Sequence, residues 1–142
     1  MAALPDLGQD VDIETFSQIL EMDDDEADRE FSKNIVWSFF EQAEQTFEQI
    51  QTALEARNLD ELRSLGHFLK GSSATIGLTR VKDSCEFIQR YGARENLDGT
   101  TESDQDKCLR RITERFGQLK DEYESAKRVL STFYRDDDDN EN

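Results

Sequence analysis

The sequence predicts an all-α protein whose helices pack against one another as a bundle. Glu, Gln, Leu, Ala and Arg, which favour helix, are plentiful, while Val, Ile and Thr are sparse. One proline, Pro5, and seven glycines leave little of the turn chemistry that strands need. Several long segments carry apolar residues at alternating steps of three and four, the repeat of a helix with one buried face. At 142 residues the chain is one domain, large enough to bury a core.

Residues 1–11 read as a flexible lead-in broken by Pro5 and Gly8. Asp12 is placed to N-cap a short helix with Ile13, Phe16, Ile19, Leu20 and Met22 on its apolar face. The run Asp23-Asp24-Asp25-Glu26 is a poor calcium loop. The loop glycine would fall on Asp28 and the closing glutamate on Asn34. Its carboxylates instead favour the N-terminus of the next helix.

That second helix spans about 27–57, with Val36, Phe40, Ala43, Phe47, Ile50 and Leu54 as its seam. Phe31, Ile35 and Phe39 widen the apolar face, so that either the short first helix or something else packs there. Trp37 falls off the stripe. Asn58 breaks the chain, and a third helix follows over 59–76 with Leu62, Leu65, Leu69, Ser73 and Ile76 inward. Gly77 takes the position after its end. A fourth helix over 79–93 turns Val81, Ser84, Cys85, Ile88 and Gly92 inward, residues 95–103 form a loop, and a last helix repeats Leu109, Ile112, Phe116, Leu119, Tyr123, Ala126, Leu130 and Phe133. So regular a repeat also suits an intermolecular coiled coil, but matching seams elsewhere in the chain make an intramolecular bundle sufficient. The bundle is expected over 12–135, with 136–142 a disordered acidic tail.

A net charge of −16 argues against nucleic acid and anionic membranes as partners. The charge is uneven. Between Arg57 and Arg94 seven basic residues face four acidic ones, so this stretch is +3 and the remainder −19. Cys85 and Cys108 sit in unrelated contexts and read as buried, reduced thiols. With no basic, apolar leader and no apolar run approaching about 20 residues, the chain is expected to be soluble and intracellular.

The basic stretch contains the one histidine, His67. On a helical wheel it lies roughly 170° from the leucine stripe, so it faces outward. Arg63, Lys70, Gly71 and Ala74 share that face. One histidine and two scattered cysteines assemble no ordinary zinc set, and there is no nucleotide-binding loop or kinase signature. A triad would need a concave pocket around His67. What remains is an exposed nucleophile for a group that another protein delivers. Lys70, one turn on, can offset charge on phosphoryl oxygens, and Gln89, across a short αα turn, can hold the other ring nitrogen. Gly71 costs about 1 kcal/mol in helix propensity but leaves room around the imidazole. A different class of reading makes the chain a helical interaction module with no phosphoryl transfer.

His67-Phe68-Leu69-Lys70-Gly71 followed by Gly77 resembles the H-x-L-K-G-x5-G signature of histidine-containing phosphotransfer domains. The likeness runs from about Ile13 to Gln89, through Met22-Asp23-Asp24-Asp25, Phe31-Ser32-Lys33 and Gln42-Ala43, and is strongest to the fungal phosphorelay intermediates. It implies an antiparallel four-helix bundle with an additional short N-terminal helix, acting as a shuttle between receiver domains. Under this resemblance His67 is the phosphoacceptor, Lys70 supports the phosphoryl group, Gln89 bonds the imidazole, and Gly71 and Gly77 permit close approach. The receiver would dock on Ile19, Met22, Ile35 and Phe68. The implied partners are the receiver of a hybrid histidine kinase and those of downstream response regulators. Magnesium is expected on the receiver, and the chain is a monomeric, stoichiometric carrier without a cofactor of its own, in cytoplasm and nucleus. Two features depart from the yeast pattern: Ser84 stands at an apolar position, and the loop before the last helix is shorter.

Overall fold

A computed structural model describes residues 7–24 and 28–140, with side chains placed as far as Arg135. Residues 1–6 of the lead-in, the Asp25-Glu26-Ala27 part of the acidic link and residues 141–142 lie outside the described residues. The described residues form five helices: α1 Ile13–Leu20, α2 Glu30–Glu55, α3 Leu59–Thr75, α4 Thr79–Gly92 and α5 Gln105–Asn140. A single β bridge, Glu95 to Thr101, closes the loop before α5.

Asp12 caps α1, accepting from the Glu14 N–H at 3.2 Å and the Thr15 hydroxyl at 2.9 Å. The start of α2 is held from nearby by Asp28, which accepts from the Glu30 N–H at 3.2 Å, and from a distance by Asp23, which accepts from the Ser32 N–H at 2.8 Å and the Ser32 hydroxyl at 2.7 Å. Part of the acidic link therefore does serve the next helix, through a bond as well as through charge. Asn58 corrects the expected boundary: it caps α3 by accepting from the Glu61 N–H. The break itself falls on Arg57, whose φ of 57° closes α2. Asn58 N–H then bonds Ala53 O and Arg57 N–H bonds Leu54 O, the paired Schellman bonds. The same pattern ends α3 at Gly77 and α4 at Arg94.

The expected seams of α3 and α4 are buried, whereas on α2 Thr46 and Ala53 lie inside and the expected Phe47 and Leu54 are only half-buried. Leu62, Leu65, Leu69, Ser73 and Ile76 of α3 all lie inside, as do Val81, Ser84, Cys85, Ile88 and Gly92 of α4. On α5 the stripe ends on Tyr134, which is buried, rather than Phe133, which is half-buried. Tyr134 earns that place through its hydroxyl, which donates to Ser32 Oγ at 2.8 Å and so joins α5 to the α2 cap. Ser84 is satisfied too: it donates to Glu122 and accepts from Arg115 Nε at 2.9 Å. A polar residue at an inward position thus reads as a paired network between α4 and α5.

The bundle is asymmetric. Aromatic rings space α2 from α5, with Phe47–Tyr123 centroids 5.0 Å apart and Phe40–Tyr123 6.0 Å apart. By contrast, α3 and α4 touch through glycines. A Cβ on Gly66 would stand 2.8 Å from both Cys85 O and Gln89 N, and one on Gly92 would stand 2.6 Å from Arg63 N. Cys85 is buried in this close contact, and desolvation pushes its thiol up to about 12. Iodoacetamide at pH 8 is therefore expected to leave Cys85 unmodified in the native protein and to label it after denaturation, as mass spectrometry would read. Because the folded thiol ionises above the unfolded one, its stabilising contribution is complete below about pH 8.5 and is lost as pH rises towards the folded value.

Three expectations about the periphery are corrected. Leu7 and Val11 are buried, and Asp10 accepts from the Ser125 hydroxyl at 2.8 Å, so residues 7–11 are pinned to α5 rather than loose. Helix α1 does not cover Phe31. Its Phe16 ring packs on Phe133 and Tyr134 at 5.8 and 6.4 Å, leaving Phe31 53 % exposed. Helix α5 continues through Asp136 to Asn140, where an acidic coil was expected, because no glycine or proline stands between Gln118 and Asn140 to end it. Trp37 lies at the surface margin, 38 % exposed, against Phe40 and Tyr134.

Candidate functional site

His67 stands in the middle of α3 and is exposed. Its footing is close-packed, since the preceding residue, Gly66, brings the α3 backbone directly against that of α4 at Cys85 and Gln89. The sequence reading passed over Gly66. Its signal was available: a glycine within a helix, one step before the exposed histidine, costs propensity and needs a packing reason.

Gly71 lies one turn further along the same face, with nothing within 4 Å of where a Cβ would be. The surface beside the imidazole is therefore bare. Gly77 differs. It is buried, has φ of 82°, and its Cβ position lies 2.8 Å from Asp12 O. The close approach it allows is that of the α1 N-terminus, held by the Asp12 N–H to Gly77 O bond of 2.7 Å, and not that of a partner.

Lys70 reaches sideways to α4, where its Nζ lies 3.7 Å from Glu86 Oε1. Gln89, one turn beyond Glu86, forms no hydrogen bond with His67 among the described residues. Its Oε1 is buried and without a partner. A buried carbonyl left in that state accepts a donor readily. Among the described residues no group of three His, Cys, Asp or Glu side chains converges to hold a metal ion.

Beside this face runs an open groove between α2 and α3, lined by Phe31, Ile35, Phe39, Ser72, Thr75 and Ile76 among others. Phe31 projects into it, and Phe68 and Met22 are also exposed, at 50 % and 61 %. Ile35 is half-buried and contributes to the groove floor. Ile19 is 5 % exposed and belongs to the core, so it supports this surface without forming it. Phe31 takes the outward place expected of Ile19.

An exposed imidazole on a four-helix platform, with a cation and a bare glycine beside it, meets a family pattern: that of the Hpt domain matches residues 34–128. The chain belongs to the Hpt domain family. It is 47 % identical over 125 residues to the multistep phosphorelay regulator 1 of Schizosaccharomyces pombe, covering 87 % of this chain and 42 % of that protein. It is 50 % identical over 88 residues to the phosphorelay intermediate protein YPD1 of Candida albicans, covering 62 % of this chain and 47 % of that one. The chain thus spans less than half the length of these curated relatives. Its fold is similar to the crystal structure of the yeast phosphorelay protein YPD1, with a TM-score of 0.78 and 33 % identity over 89 % of this chain and 95 % of that one. A co-crystal of the Saccharomyces cerevisiae Ypd1 with the receiver domain of its downstream response regulator Ssk1 aligns with the same TM-score at 32 % identity, over 94 % and 98 % of the two chains. The helical bundle of this Hpt domain is therefore that of the yeast phosphorelay proteins.

Proposed function

We propose that this protein is a phosphorelay carrier. His67 takes a phosphoryl group from the aspartyl phosphate of a hybrid histidine kinase's receiver and passes it to the aspartate of a downstream response regulator. The observation that carries this reading is an exposed imidazole on a close-packed helix, beside Lys70 and the bare surface at Gly71, in a chain of the Hpt family. The receiver complex formed by the similar Ypd1 supports the partner class.

In the chemical step a ring nitrogen of His67 attacks phosphorus, an N–P bond forms, and the P–O bond to the aspartyl carboxylate breaks. The other ring nitrogen keeps its proton, and the orphaned Gln89 carbonyl is a ready acceptor for it once the ring turns inward. Lys70 offsets charge on the phosphoryl oxygens. Phosphohistidine retains the energy of the donor, so the second transfer reverses the first onto a new aspartate. The receiver brings the magnesium and the acidic pocket. We place the carrier, as a monomer, in the cytoplasm and nucleus.

Incubation with a receiver carrying labelled aspartyl phosphate and magnesium is expected to move label to this chain as an acid-labile, alkali-stable species. ATP alone is expected to label nothing. Acid-stable label, or none, would overturn the assignment. Gly71→Gln tests the bare surface: it should raise stability by up to about 1 kcal/mol on propensity yet slow transfer from the receiver. Unchanged rates would show that a partner does not approach over Gly71.

A further inference from the structure

Glu86 places a carboxylate beside the group that is to carry an anion. It lies on α4, one turn before Gln89, and meets Lys70 across the helix–helix contact at 3.7 Å. Both side chains are partly exposed, at 45 % and 34 %. Two cations flank His67 along α3: Arg63 one turn before it and Lys70 one turn after. Among the described residues Arg63 makes no ion pair, while Lys70 does. Nothing in the fold requires this carboxylate, since Glu86 caps no helix and makes no other bond, and a solvated pair of this kind adds little to stability.

Resting on the carrier reading, we propose that Glu86 sets how firmly His67 holds its phosphoryl group. Two effects act in the same direction. The carboxylate competes with the phosphoryl oxygens for the Lys70 ammonium, and its own charge repels them. Both weaken the phosphohistidine relative to the aspartyl phosphate that receives the group. A carrier has to release as well as accept. With Lys70 and Arg63 both free, the site would hold a phosphoryl group as a binding site holds phosphate. In the release step the N–P bond to His67 breaks, the P–O bond to the acceptor aspartate forms, and the imidazole departs neutral. Glu86 bonds to none of these atoms; it acts mainly through Lys70, with the direct repulsion of its own charge as the smaller part.

The full chain is equilibrated with a labelled receiver, and the ratio of phosphohistidine to aspartyl phosphate is read. In parallel, His67 is phosphorylated directly with phosphoramidate and the half-life of the phosphohistidine is followed. Glu86→Gln is expected to shift the ratio towards phosphohistidine by roughly two- to fivefold, the range of a solvated charge pair, and to lengthen the half-life. Glu86→Asp keeps the charge and stays near the wild type. The shift contracts at about 1 M salt, where screening acts within ~3 Å. In a Lys70→Gln background the same substitution does less, because the competition is gone. A Glu86→Gln ratio that is unmoved or displaced towards the receiver, with an unchanged Tm, overturns the proposal. So does an equal shift in the Lys70→Gln background. If the wild type takes label from neither donor, the carrier reading fails and this one with it; normal wild-type labelling with an unmoved Glu86→Gln ratio overturns this one alone.

Discussion

His67→Gln is expected to abolish phosphoryl uptake while leaving the bundle and its docking surface in place. Glutamine is polar and tolerates helix, and His67 is exposed and bonded to nothing, so stability should change by less than about 0.5 kcal/mol. The amide nitrogen of glutamine is no nucleophile, so no N–P bond can form. Two measurements separate the outcomes: labelling by a phosphorylated receiver falls to background, while affinity for the unphosphorylated receiver, read by calorimetry or surface resonance, stays within about twofold. A variant that still takes acid-labile label would mean that His67 is not the acceptor. A variant that neither binds nor folds would place His67 in the structure and remove it from the chemistry.

Gly92→Ala is expected to be the most damaging single-methyl change in the chain. The added carbon would stand 2.6 Å from Arg63 N and 2.9 Å from Leu59 O, both backbone atoms that cannot swing aside. Only parting α3 from α4 makes room, and overpacking of this kind costs about 1–3 kcal/mol, more than the helix propensity that alanine returns. Thermal unfolding should fall by roughly 5–10 °C. Gly66→Ala meets Cys85 O and Gln89 N at 2.8 Å and should behave alike, with a further loss of transfer because it tilts the helix that carries His67. Gly71→Ala is the control: it meets nothing and should stabilise. If all three alanine variants melt alike, the glycine contact does not hold α3 to α4.

What could be read before the structure was whatever depends on near neighbours in sequence. The stripes of α3 and α4 were legible because burial on a helix repeats every three or four residues, and Leu62 to Ile76 and Val81 to Gly92 follow it. The Asp12 cap and the glycine end at Gly77 were legible for the same reason. Asn58 was misplaced because an asparagine after a helix and one before a helix look the same when only three residues separate the helices. Ile19 and Phe31 exchanged roles because both are apolar near helix ends, and which one is covered depends on where α5 runs. Residues 7–11 look like coil by composition, yet they find Ser125 and Arg80 far away in the sequence.

By itself, then, the sequence determined an all-helical bundle with one histidine turned outward beside Lys70 and Gly71, because helical periodicity is local and a residue opposite a buried stripe must face water. Only the tertiary structure decided that Gly66 and Gly92 bring α3 against α4 behind that histidine, that Gly77 serves α1 and not a partner, that Gln89 keeps an unsatisfied carbonyl, and that Glu86 shares Lys70. Each of these depends on the distance between atoms on different helices, a distance set by the summed packing of the whole core and not by any one segment.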